Sequence, residues 1–225
     1  MQTFQTPAPI AAVLDIPAGS IRFIAADRAD TTVEVRPANA AKSRDVKAAE
    51  QIEVTYGDGD RVLRIAAPAA KNQYFGPSGS VEVTVQLPAG SGVEAKAAAA
   101  EFRAVGRLGD VVFEGASGPV KIDEAASVRL TSADGDVTVG RLAGPAEIST
   151  QRGDIRITEA VDGTVVLTTQ MGDISIDTAP DASASLDAST SYGRVHNALK
   201  NTEGAAAGLR IRATTSHGDI TARTL

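Results

Sequence analysis

The chain has 225 residues, 22 Lys and Arg against 28 Asp and Glu, a net charge of −6, and no Cys or Trp. The lack of Cys excludes a disulfide framework, a thiolate metal site and a Cys nucleophile, and the acidic balance argues against nucleic acid as a partner. A hydrophobic share of 43% with 22% charged residues is the balance of a folded chain, and no stretch approaches the roughly 18 apolar residues of a membrane span.

Met1-Gln-Thr-Phe-Gln-Thr-Pro7 has neither a basic nor an apolar leader segment. This predicts a cytoplasmic location, or an exported one if a leader has been removed. Alternation of apolar and polar residues then predicts strands at Ala11–Ile16, Ser20–Ala26, Thr31–Arg36, Gln51–Tyr56, Arg61–Ala66 and Ser80–Leu87. Turns are marked by Pro17-Ala-Gly19, Gly57-Asp-Gly-Asp60 and Pro88-Ala-Gly-Ser-Gly92, and Asp45–Gln51 suits one helical turn. Residues 1–92 thus read as an antiparallel, sandwich-like β part, or one wrapped onto the start of the solenoid, that caps the first end of residues 93–225.

Residues 93–225 carry a repeat. The copies are Thr131-Ser-Ala-Asp-Gly-Asp-Val-Thr-Val139, Ser149-Thr-Gln-Arg-Gly-Asp-Ile-Arg-Ile157, Thr168-Thr-Gln-Met-Gly-Asp-Ile-Ser-Ile176, Ser189-Thr-Ser-Tyr-Gly-Arg-Val-His-Asn197 and Thr214-Thr-Ser-His-Gly-Asp-Ile-Thr-Ala222. Weaker copies begin at Gly109 and Gly118. The aligned glycines, Gly135, Gly153, Gly172, Gly193 and Gly218, are 18, 19, 21 and 25 residues apart. Apolar residues stand two and four places after each glycine, save for Asn197 in the fourth copy, with Thr138, Arg156, Ser175, His196 and Thr221 between them. A second alternating strand precedes each glycine and ends in an inward Ser132, Thr150, Thr169, Thr190 or Thr215. A further apolar corner holds Leu142, Ala160, Ala179 and Leu199.

At about 3.3 Å per residue, 18 residues make a contour near 60 Å, enough for one coil around a thin core. Coils of this kind stack about 4.8 Å apart with like residues above like. The fold class is therefore all-β, a β-solenoid or β-helix-like stack. In sequence order the Thr column becomes a ladder whose hydroxyls can bond to one another. Asn197–Gly208 reads as a loop leaving the coil, and Gly218–Leu225, the last coil, is either blunted by Arg223 or paired with something.

The Thr-x-x-Gly-Asp-Ile-x-Ile pattern, with the opening Leu14-Asp-Ile-Pro-Ala-Gly-Ser-Ile-Arg-Phe23, resembles a bacterial β-strand-repeat family of unknown function. Its members are described as candidate adhesins, including auto-transporter-adhesin-head-like domains. The resemblance spans nearly the whole chain. It implies a repetitive β-helix-like architecture with no established catalytic residues.

The residues around each turn are the candidates for chemistry. Gly135-Asp136, Gly153-Asp154, Gly172-Asp173, Gly193-Arg194 and Gly218-Asp219 read first as structural turns, in which Asp accepts a local backbone N–H. The Asp column, with Asp110 before it and Arg194 interrupting it, also suggests a Ca²⁺-stabilised β-roll-like module, although such rolls supply several ligands per turn. A third alternative is a β-helical carbohydrate-active enzyme using Asp154 and Asp173 as a carboxylate pair. It lacks the aromatic platforms that bind sugars. Two His residues at unlike positions build no zinc site, and there is no nucleophile elbow or phosphate loop. The leading reading is a non-enzymatic binding or scaffold protein with no catalytic, cofactor or metal residues. Its repetitive β surface would serve protein partners or self-association. The position before each glycine varies most, so Arg152, Met171, Tyr192 and His217 are candidate partner contacts beside Asp134. Tyr74 and Phe75, on the Gly/Pro-rich loop 67–80, either contact a partner or fold back over the core.

Overall fold

The structure is a computed structural model that describes residues 1–57, 59–68 and 79–225. Tyr74 and Phe75 lie outside the described residues. The first strands are β1 (Gln2–Gln5), β2 (Ala11–Ala26) and β3 (Asp30–Pro37), followed by helix α1 (Ser43–Gln51). Next come β4 (Glu53–Gly57), β5 (Val62–Ala66) and β6 (Val81–Pro88), then the long strands β7 (Gly92–Ser117) and β8 (Val120–Asp134). The short repeat strands are β9 (Val137–Leu142), β10 (Ala146–Arg152), β11 (Ile155–Ala160), β12 (Gly163–Met171), β13 (Ile174–Thr178), β14 (Ala184–Tyr192), β15 (Val195–Ala198), β16 (Leu209–His217) and β17 (Ile220–Thr224).

The predicted β-solenoid is present. Each repeat supplies one strand before its glycine and one after it, and equivalent strands pair in parallel and in register. Ile21, Phe102, Val120, Val137, Ile155, Ile174, Ile220 and Val195 stand in single file across the stack. One hydrophobic core runs from Ile10 to Ala222. Its aromatic residues gather near the N-terminal part, where Phe23, Phe102 and Phe113 pack with ring centroids 5.9 and 5.0 Å apart. The small side chains of Ala213 and Ala222 are buried in the coil of the last repeat.

The antiparallel strands of residues 1–92 are found at the first end of the stack: β1 with β3, β3 with β6, and β4 with β5. Their foundation is itself a coil. Ala11–Ile16 and Ser20–Ala26 form the single strand β2, and Pro17–Gly19 is a corner within it. Strand β2 runs parallel to β5, β6 and β7. The predicted helical turn is a full helix, and its Asp45 is buried, accepting the Ser80 backbone N–H.

The coil order departs from the sequence order. Strand β12 pairs with β16, not β14, and β13 pairs with β17, not β15. The last repeat is inserted between the third and the fourth, and among the described residues β14 and β15 pair only with β16 and β17. Gly218–Leu225 is thus an inner coil flanked on both sides, and the Gly193 coil ends the stack. Two smaller expectations also change. Thr178, not Ala179, fills the corner beside Ala160, because the register shifts after Ile157. The Asp110 carboxylate accepts the Ser127 hydroxyl at 2.6 Å and lies outside the Asp column.

Candidate functional site

The glycine corner is where the parallel ladder must bend, so its polar groups need partners of their own. The glycine amides keep ladder bonds: Gly153 N–H donates to the Met171 carbonyl at 2.9 Å, and Gly172 N–H to that of His217 at 2.9 Å. The next amide turns away from the ladder and finds a side chain. Asp136 Oδ1 accepts the Asp154 N–H at 2.9 Å, Asp154 Oδ1 that of Asp173 at 2.8 Å, and Asp173 Oδ1 that of Asp219 at 2.7 Å. Asp219 Oδ1 accepts the Arg194 N–H at 2.8 Å, and the Arg194 guanidinium reaches Asp219 Oδ2 at 3.1 Å. The Arg194 backbone N–H and then its guanidinium hold the Asp219 carboxyl below its ordinary range. Arg194 therefore does not interrupt the carboxylate ladder, it ends it.

The hydroxyl column works differently from the expectation. The hydroxyls of Thr169, Thr215 and Thr190 donate to the carbonyls of Gly153, Gly172 and Gly218, at 3.1, 3.0 and 3.0 Å. They do not bond to one another. A corner carbonyl is the stronger acceptor, and it lies within reach on the neighbouring coil.

One oxygen of each ladder carboxylate is committed to an amide, and Asp154 is joined to Asp173 by a structural bond from the Asp173 N–H to Asp154 Oδ1. Among the described residues no group of three or more His, Asp or Glu side chains is placed to hold a metal ion.

Outside the corner the variable position forms an exposed ridge. Asp134, Arg152, Met171, His217 and Tyr192 lie side by side in that order. Arg152 Nη2 is 3.2 Å from Asp134 Oδ2, and Tyr192 stacks on His217 with ring centroids 4.9 Å apart and planes 13° from parallel. Met171 and Tyr192 are 56% and 71% exposed, large apolar side chains offered to solvent. A shallow groove of about 490 Å³ crosses the outer face of β7, β8, β10 and β12, where Val112 and Val166 flank the Arg129–Glu147 pair.

One further polar contact had no signal in the sequence. Asp177, 2% exposed, receives Arg223 in a two-point bond, Nε to Oδ1 at 2.8 Å and Nη2 to Oδ2 at 2.9 Å. The carboxylate raises the guanidinium pKa above its ordinary value.

A family model described as Toastrack DUF4097 matches residues 104–223, more than half of the chain. The chain belongs to that family. In this Toastrack protein the matched span runs from the second half of β7 to β17, the stacked coils of the solenoid. A solved structure from Parabacteroides distasonis is similar over 98% of this chain and 95% of its own, with 15% identity and a TM-score of 0.50. One from Bacteroides fragilis covers the same shares at 14% identity and a TM-score of 0.48. Both are named as candidate adhesins. The former likeness supports the fold. No curated protein matches the chain. Among the described residues no helix is long and apolar enough to cross a membrane.

Proposed function

We propose that this Toastrack protein is a non-catalytic binding protein that engages a protein partner through the ridge Arg152, Met171, His217 and Tyr192. The observation that carries the reading is the exposure of large side chains in one line along an edge of a rigid stack. Tyr, Met and Arg are the residue types that interfaces favour. Stacking on His217 and pairing with Asp134 hold Tyr192 and Arg152 in place before binding, which lowers the ordering entropy of association. The names of the solved relatives support a binding role. In this reading the antiparallel part, residues 1–92, caps the stack.

The test is affinity capture from cell extract with the wild-type chain and with an Arg152→Ala/Met171→Ala/Tyr192→Ala variant, alongside melting curves. A partner retained by the wild type and lost by the variant, at similar melting temperature, is the expected result. Equal retention by both, or a wild-type monomer that holds nothing, refutes the proposal.

A further inference from the structure

We infer that four residues, Asp177, Arg223, Arg194 and Asn197, decide the order of the coils. They place the last repeat inside the stack and make the β14–β15 coil its closed end. By main-chain pattern the fourth and fifth repeats are interchangeable. Each offers a Thr, a glycine corner and a two-residue alternation that fits the face of β12–β13. Their side chains are not interchangeable.

From the Gly135 coil onward, each coil with another beyond it supplies a carboxylate to the next amide: Asp136, Asp154, Asp173 and Asp219. The fourth repeat has Arg194 there, which has no acceptor to offer. Inside the stack it would leave the following amide without a partner. At the end it has no following amide to serve, and its guanidinium binds back to Asp219. Along the inner column Val139, Ile157, Ile176 and Ala222 are buried, whereas Asn197 occupies the same file at the end and is exposed. There its Oδ1 accepts the Leu199 N–H at 3.0 Å. Inside, its amide would be enclosed between Ile176 and Ala222.

The third observation acts in the opposite sense, by attraction. Asp177 is buried and faces Arg223 in register. The fourth repeat has Ala198 in that file. Stacking it on the third repeat would leave a buried carboxylate unpaired, a costly arrangement. The exclusions at Arg194 and Asn197 and the pairing at Asp177 thus select one threading. The chain steps over one level through residues 179–183 and returns through residues 199–208.

The chain has no cysteine, so introduced pairs report the order directly. Ser175 faces Thr221 across β13 and β17, and His196 would take the place of Thr221 if the fourth repeat stacked on the third. In the otherwise native chain, Ser175→Cys with Thr221→Cys is expected to form a disulfide, and Ser175→Cys with His196→Cys is not. Adding Asp177→Ala, Arg194→Asp and Asn197→Val is expected to bring out the second disulfide. Formation of the second disulfide in the native background, or its absence in the altered background, overturns the inference. If the altered chain does not fold, Arg223→Ala gives the decision. It is expected to melt lower than the Asp177→Ala/Arg223→Ala double variant, because the double variant no longer buries an unpaired carboxylate. Equal melting temperatures, or the reverse order, would refute the role of that pair.

Discussion

Replacing Gly153 with Ala probes the close approach of neighbouring coils at the corner. Gly153 has φ +139, a region that side-chain-bearing residues avoid, and an added Cβ would overlap the Gly135 carbonyl, coming 2.6 Å from its carbon and 3.1 Å from the Asp136 nitrogen. These are backbone atoms of the neighbouring coil and cannot rotate away. The strained backbone costs about 1–3 kcal/mol. Relief by opening the corner weakens the bond from Gly153 N–H to Met171 and that from Asp154 N–H to Asp136, about 1 kcal/mol each. The sum is about 3–5 kcal/mol, or a fall in melting temperature of about 10 °C for a chain of this size. Gly204 is the control. It also has positive φ, +61, but an added Cβ meets nothing within 4 Å, so Gly204→Ala should cost only about 1 kcal/mol. Far-UV circular dichroism during thermal and urea unfolding measures both. Equal losses for the two variants would show that the coils are not in close contact at Gly153, and the stacking argument would fall with that result.

The same geometry has other consequences. Thr169→Val keeps the side-chain volume but removes the hydroxyl bond to Gly153, and should cost about 1 kcal/mol in urea unfolding. Thr168→Val, on the outward side of the same strand, should stay within about 0.5 kcal/mol of the wild type. Ile174→Ala empties a fully buried place in the central file and should lose about 2–5 kcal/mol. Asp219 gives a pH signature: its carboxyl lies below the ordinary value of 3.8 in the folded chain, so its bonds stabilise the fold above that value and are lost as the pH falls through the lowered one. The melting-temperature gap between the wild type and Asp219→Ala should therefore be full at neutral pH and close in acid below about pH 4; a gap unchanged at pH 2 would contradict the assignment. With the ladder carboxylates engaged by amides, millimolar Ca²⁺ should raise the melting temperature no more than Mg²⁺ does.

The repeat glycines, the inward aliphatic columns and the solenoid itself were legible because stacking imposes the same side-chain demand on every coil. That demand is written into each copy at the same offset from its glycine. The order of the coils was not legible in that way. Repeats four and five share the Thr, the glycine and the first inward aliphatic place, and the contact that draws the last repeat to the third, Asp177 with Arg223, joins residues 46 apart with no local pattern around either. Arg194 was visible as an exception, yet an exception in a column does not say whether it breaks the ladder or ends it. Pro17–Gly19 reads as a turn between two strands because a bend inside one long strand uses the same residues. Gln2–Gln5 has a single apolar side chain, Phe4, which packs on Tyr56 at 5.5 Å, too little for an alternation to show. The ridge residues were named from their variability alone. Their alignment with Tyr192 beside His217, rather than beside Met171, depends on the inserted coil.

The central claim is the single file that runs through Ile155, Ile174, Ile220 and Val195. Cross-strand nuclear Overhauser effects among the backbone protons of these residues test it most directly. Contacts are predicted from 155 to 174, from 174 to 220 and from 220 to 195, with none between 174 and 195. Contacts from 174 to 195, or no contact between 155 and 174, would contradict it.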